Sequence, residues 1–358
     1  MRFSINELAA PCAVARGLMG KLIGPQGVDM LARSEDLSAA FSLLERTAYG
    51  GVIGRVPRVG RVFRAVEHAL RQSLIDDAIN IWHFLGRSHR HMLKLIMSRY
   101  EITNMKTVFA AIEGWEDPKG LRDSLFDLGP LGRIGADDLV ESASITGLAE
   151  ALRGSPYGGV LTSAMERYRS EGTLFGVEVA LDLYYFRRLL HAVRKLCDYD
   201  RGSLLSTLGP EIDNRNLLWV LRYKLNFALE PEEIFNYIAP GGYELNDEVL
   251  WNVAKADGVQ DIASILPPGY RALVERSRRG EKLDLVRLDV LLRRRLWRRA
   301  RAAITRYPFS LGMILGYLVI KRLELDEIIT VLEGKRYGMT DDEMVPFLIH
   351  REMAEGSE

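Results

Sequence analysis

The sequence predicts an all-α protein built from three similar helical subdomains. Three long stretches carry an apolar residue every third or fourth position, two short signatures each recur three times at nearly constant spacing, and runs of strict alternation bounded by turn residues are scarce.

The first stripe is Val66, Leu70, Leu74, Ala78, Ile81 and Leu85. The second is Val177, Leu181, Tyr185, Leu189, Ala192 and Leu196, and the third is Leu285, Leu288, Leu292, Leu296, Ala300 and Ala303. Steps of three and four place each set on one face of a 3.6-residue helix, so each predicts a long amphipathic helix with one buried side. With 47% apolar residues in 358, the chain can bury cores of its own in units of about 110 residues.

Around each stripe the same two signatures recur. A tyrosine beside glycine comes before it, at Tyr49, Tyr157 and Tyr270. An amide or acidic residue leading an apolar segment comes after it, at Asn104 (EITNMKTVFAAIEG), Asn216 (EIDNRNLLWVLRYK) and Glu327 (ELDEIITVLEGK). The separations are 55, 59 and 57 residues within the three copies, and the amide or acidic positions stand 112 and 111 apart. A period this long marks whole subdomains rather than a short-repeat solenoid. GWEDPKG (114–120) and ALEPEE (228–233) hold the proline, glycine and charge that stop helices, which places the units at 1–116, 117–230 and 231–358.

Composition excludes several classes. Lys plus Arg and Asp plus Glu are both 48, so no global charge favours a polyanion. The start shows no signal-peptide pattern, because Arg2, Asn6 and Glu7 interrupt it. The longest apolar run, Phe309–Ile320, is short of the ~20 residues a bilayer requires. Cys12 and Cys197 stand far apart without ligand-like spacing and read as reduced thiols of a cytosolic chain.

No catalytic or cofactor motif emerges. The chain has no phosphate-cradling GxxxxGK[ST], no GxGxxG, no GxSxG and no HExxH. The pairs Gly50-Gly51 and Gly158-Gly159 read foremost as left-handed helix stops, with phosphate binding the lesser reading. His83, His89 and His91 are offset by 6 and 2, which does not gather imidazoles on one helical face, and His68 lies further back. Asp76-Asp77 and Asp341-Asp342 are adjacent and point apart. The expectation is a protein that is not an enzyme, with no metal and no cofactor.

Residues 276–306 hold twelve Lys or Arg, including RRRLWRRAR (293–301), with Arg294, Arg298 and Arg301 on a common face. A solvated helix face and docking to an acidic protein surface or lipid headgroups are the leading readings. Nucleic-acid binding ranks last, because the chain lacks a basic excess. Asn104, Asn216 and Glu327 carry a bland reading as helix-start residues that satisfy free N–H groups.

Several segments resemble one family, the C subunits of the V/A-type rotary ATPases, related to the d subunit of the eukaryotic V-type enzyme. ALDLYYFRRLLHAVRKL (180–196) is similar to its Asp-x-x-Tyr-Phe helix, and EIDNRNLLWVLRYK (211–224) to its Asn-Leu-x-x-x-Leu-Arg-x-Lys segment. PFSLGMILGYLVIKRLELDEIITVLEGK (308–335) resembles its Pro-Phe-Ser, Leu-Gly-Tyr-Leu and Gly-Lys hallmark, and AVARGLMGKLI (13–23) its opening helix. Asp326-Glu327-Ile328 departs from the family's Asn-Leu-Arg, and Leu218 from its usual Arg.

The resemblance implies a funnel of three helical subdomains about a pseudo-threefold axis, on the cytoplasmic side of a proteolipid ring. Its socket receives the central shaft, made of the D and F subunits. The chain carries torque without catalysis and meets the membrane through the complex alone. Under that reading Asn104, Asn216 and Glu327 line the socket, while Arg294, Arg298 and Arg301 are candidate partner contacts. A free-standing helical-repeat scaffold is the competing class, and an RNA-binding helical protein resting on residues 276–306 is the third.

Overall fold

The computed structural model describes residues 5–56, 62–114, 118–142 and 144–351. The chain opens with α1 (Ile5–Met19), α2 (Gly24–Ala32), α3 (Leu37–Glu45) and the single turn α4 (Gly50–Ile53). The long α5 (Val62–His83) and α6 (Arg87–Glu113) follow, then short α7 (Ala136–Val140) and α8 (Ile145–Ala151), then α9 (Gly158–Glu171) and α10 (Phe175–Arg194). Next come α11 (Asp198–Phe227), α12 (Pro231–Phe235), α13 (Asp247–Lys255), α14 (Val259–Ile265) and α15 (Pro268–Arg276). Last are α16 (Leu285–Arg306), α17 (Leu311–Arg336) and α18 (Asp341–Met344). Among the described residues the strands are β1 (Arg278–Arg279) and β2 (Lys282–Leu283), one small antiparallel hairpin. The chain is all-α, as its periodicity predicts.

The helices gather into two compact units, Phe63–Leu196 and Met1–Val62 with Cys197–Glu358. In the first, α10 packs on α6 and α9. The stripe Val66 to Leu85 is buried throughout. The second predicted stripe holds from Val177 to Leu189, but Ala192 and Leu196 are half-buried, and Val193 takes the core position as the helix ends at Arg194. Lys106 pairs with Asp182 at 2.8 Å and the Tyr185 hydroxyl donates to the Ile96 carbonyl at 3.2 Å, tying α6 to α10.

In the other unit α17 is the central helix, packed by α16, α11, α1, α2 and α3. It is apolar on nearly every side, the pattern of a helix surrounded by protein. This accounts for the apolar run at 309–320. Ser310 caps the helix by accepting from the Met313 N–H, and among the described residues no helix is long and apolar enough to cross a membrane. Gly312 lets α17 touch α11, since a Cβ there would stand 2.2 Å from the Ser203 carbonyl oxygen.

The predicted connector at 228–233 is shorter than the sequence indicates. Ala228 ends α11 in the left-handed region at φ 51°, and Pro231 already begins α12, where its fixed φ suits a first helical turn. Leu217, Val220 and Leu221 of α11 share one core with Ile234, Leu250, Tyr270, Leu288 and Leu292. Of the connector at 114–120, residues 115–117 lie outside the described residues. Gly114 caps α6, and Pro118–Ser124 forms a 3-10 turn.

Candidate functional site

Asn104, Asn216 and Glu327 lie in the middle of α6, α11 and α17, not at helix starts, which corrects the sequence expectation. All three are buried. Their side chains reach off the helix to hold a chain segment that returns 22 or 23 residues later. The Asn104 amide donates to the Phe126 carbonyl and accepts from the Phe126 N–H, both at 2.8 Å. Asn216 does the same to Ala239, at 2.8 and 2.9 Å. Glu327 accepts from the N–H groups of Ile349 and His350, at 2.7 and 3.2 Å. The reason is backbone accounting: a loop that runs against a core needs partners for its buried amides, and a planar amide answers both groups of one peptide residue.

One turn earlier on each helix sits a second buried polar residue that sequence reasoning missed: Glu101, Asp213 and Glu324. Glu101 accepts from the N–H groups of Arg133 and Ile134, the latter at 2.8 Å. Asp213 accepts from those of Tyr243 and Glu244, both at 2.7 Å. Glu324 accepts from those of Ile23 and Gly24, at 3.1 and 2.7 Å. Burial pushes the carboxyl groups of Asp213 and Glu324 above the usual range, and the N–H donors pull the other way. Each helix thus carries a pair of gripping residues spaced i, i+3 on one face. The signal was present in the sequence, because Glu101, Asp213 and Glu324 keep the same 112 and 111 spacing as the partners three residues on.

The recurring tyrosines complete the three stations. Tyr157 donates its hydroxyl to Glu101 at 2.5 Å, and Tyr49 donates to Glu324 at 2.7 Å. Tyr270 lies 3.5 Å from Asp213 and 3.3 Å from Asn214. All three rings are buried, and burial together with the neighbouring acid raises the Tyr157 and Tyr270 hydroxyls well above their ordinary pKa. Tyr157 and Tyr270 therefore meet the carboxylate of the preceding copy, and Tyr49 of the first copy meets that of the last. The third station is closed by the two chain ends, with Tyr49, Ile23 and Gly24 supplied from the N-terminal side.

The glycines after Tyr49 and Tyr157 do not stop helices in the left-handed region. They begin α4 and α9, and neither pair has positive φ. For the first glycine of each pair the role is steric. A Cβ on Gly50 would stand 2.0 Å from the Glu45 carbonyl oxygen, and one on Gly158 would stand 2.0 Å from that of Arg153. Tyr49 and Tyr157 also receive the same local brace, their N–H groups donating to Thr47 Oγ1 and Ser155 Oγ at 3.1 Å.

Of the arginine face, Arg294 is buried. It donates to the carbonyls of Ile349, at 2.7 Å, and Arg351. Arg294 and Glu327, far apart in the sequence, therefore grip the same C-terminal segment, one by its carbonyls and the other by its amides. Arg351 in turn pairs with Asp29 and Asp341, so of the adjacent pair at 341–342 Asp341 is engaged within the fold. Arg298 and Arg301 are exposed on α16, and Arg301 lies over the Trp297 ring at 4.7 Å. Arg295 and Arg299 share Glu244 at 2.6 and 2.7 Å.

Among the described residues no group of three or more His, Cys, Asp or Glu is placed to hold a metal. His89 is buried, while His83 and His91 are exposed. Both cysteines are free. Burial pushes the Cys12 thiol up to about 11, and the Cys197 thiol donates to Asp200 at 2.9 Å.

The family model described as ATP synthase (C/AC39) subunit matches residues 11–345. The chain belongs to this family. It is 28% identical over 342 residues to the A-type ATP synthase C subunit of Methanocaldococcus jannaschii, covering 93% of this chain and 84% of that protein. The protein of the same name from Halobacterium salinarum is 26% identical, covering 86% of this chain and 87% of its own length. That of Thermococcus kodakarensis is 24% identical, covering 89% and 84%.

The segments that resemble the C/AC39 family coincide with the structural stations. EIDNRNLLWVLRYK holds Asp213 and Asn216, and the 308–335 segment is α17 with Glu324 and Glu327. In its Leu-Gly-Tyr-Leu stretch, a Cβ on Gly316 would stand 2.9 Å from the Ile304 side chain and 3.0 Å from the Ala300 carbonyl, so this glycine sets the approach of α17 to α16. The departure at Asp326-Glu327-Ile328 has a consequence at the third station. Where the first two stations hold a peptide with an amide, Glu327 holds two N–H groups and leaves the carbonyls to Arg294.

Proposed function

We propose that this member of the ATP synthase complex is the non-catalytic coupler between the D–F central shaft and the membrane proteolipid ring, carrying torque for proton or sodium transport. It sits on the cytoplasmic face and meets the membrane through the complex. Residues 1–116, 117–230 and 231–358 form three similar subdomains arranged as a funnel. The observation that supports this most is the station repeated three times, in which a buried acid, its i+3 partner and a tyrosine pin returning loops to a long helix. A part that bears load between two partners needs loops that do not yield, and buried polar residues with satisfied hydrogen bonds in packed surroundings supply that stiffness. Because Asn104, Asn216, Glu327 and Arg294 are buried, they serve partner contact by holding the loops that meet the shaft, while Arg298 and Arg301 reach outward directly.

Affinity purification of the tagged chain from its native membranes tests the proposal. Shaft and proteolipid components in the eluate are the expected outcome, and a chain recovered without either favours the free-standing scaffold. Calorimetry on the isolated chain is expected to show no micromolar ATP binding.

A further inference from the structure

The seam between the two chain ends contains a cavity of about 360 Å³. Met19, Leu22, Ile304 and Ile320 give it apolar lining, beside Trp297, Glu324 and His350. Its outer rim carries Arg301 and Thr305, both exposed. The neighbouring arginines of α16 are engaged, Arg293 by Asp289, Arg295 and Arg299 by Glu244, and Arg294 by carbonyl oxygens. Among the described residues Arg301 has the Trp297 ring beside it and no carboxylate within ion-pair distance. The other ionisable groups lining the cavity are occupied. The oxygens of Glu324 accept from Tyr49, Ile23 and Gly24, and His350 Nε2 lies 2.9 Å from Glu327.

From this geometry we propose that the cavity binds a single-chain anionic amphiphile, a medium-chain carboxylate whose head meets Arg301 and whose tail lies between α16, α17 and the start of α2. A cation is disfavoured, since among the described residues the uncommitted charge at the rim is that of Arg301, which is positive. Volume limits the tail: at roughly 30 Å³ per heavy atom the cavity takes about a dozen, a carboxylate of about ten carbons. Such a ligand touches both chain ends, so its binding tightens their closure. Arg301 also reaches outward in the coupling role, so the ligand is tested on the isolated chain, where no partner competes for it.

Calorimetric titration of the full chain with hexanoate, octanoate, decanoate and dodecanoate tests it. Affinity is expected to rise about fourfold per added methylene, the equivalent of ~0.8 kcal/mol, and to level off near ten carbons. Arg301→Gln is expected to weaken octanoate at least tenfold, and Thr305→Trp to block it at the mouth. Both positions are exposed, so their thermal melts should match the parent. Affinity that climbs unchanged past dodecanoate, octylammonium binding as well as octanoate, or either variant keeping full affinity would each overturn the proposal.

Discussion

Removing one hydroxyl from each station separates a gripping role for the tyrosines from simple ring packing. Tyr49→Phe keeps the buried ring and deletes one hydrogen bond of 2.7 Å to a carboxylate. A hydrogen bond to a charged group contributes about 1.5–3 kcal/mol. Glu324 keeps its two backbone donors, so the lower part of that range applies, about 2 kcal/mol. Tyr157→Phe, losing a bond of 2.5 Å to Glu101, should cost a similar amount. Tyr270→Phe should cost less, under about 1 kcal/mol, because its contacts of 3.3 and 3.5 Å lie beyond the usual O–H···O range. The Arg295 guanidinium 4.1 Å over that ring also survives the change.

Amide hydrogen exchange at Ile23 and Gly24 is the direct assay for the Tyr49 station, since their N–H groups are the ones Glu324 holds. A loss of about 2 kcal/mol speeds their exchange roughly thirtyfold. Urea denaturation of the three variants gives the ranking. A gripping role is refuted if Tyr270→Phe is the costliest of the three, or if Tyr49→Phe leaves exchange at Ile23 and Gly24 unchanged.

Asn216→Ala should destabilise the chain by about 2 kcal/mol or more, because both polar groups of the buried Ala239 lose their partner, and a urea midpoint shift measures it. Gly312→Ala should cost more than about 3 kcal/mol, since the new methyl meets a backbone carbonyl that cannot move alone, and a soluble variant with unchanged melting would contradict this. The carboxyl groups of Asp213 and Glu324 are raised in the folded state, so from about pH 4 up through their folded values the native protein holds the extra proton. Their stability contribution is full below the unfolded values and falls as pH rises. The stability of the parent relative to Asp213→Asn should therefore be larger at pH 4 than at pH 8, and a difference that grows with pH would count against the assignment.

Helix class, the long amphipathic stripes and the threefold recurrence were legible in the chain alone, because each rests on local spacing. A 3.6-residue period fixes which side chains share a face whatever the helix packs against. Val66 to Leu85 and Leu288 to Ala303 are buried as their periodicity requires. Only the tertiary structure decided what the recurring polar residues do. Asn104, Asn216 and Glu327 precede apolar segments in the sequence and so resemble helix starts, yet each lies mid-helix and is satisfied by a peptide 22 or 23 residues away. A hydrogen bond to a returning loop leaves no local trace in sequence, since its partner is a backbone group that every residue type carries. The pairing of Tyr157 with Glu101 and of Tyr49 with Glu324 was hidden for the same reason. Spacing counts residues along the chain, whereas closure of the third station joins residues 275 apart, which the packing of α17 against the N-terminal helices brings within reach.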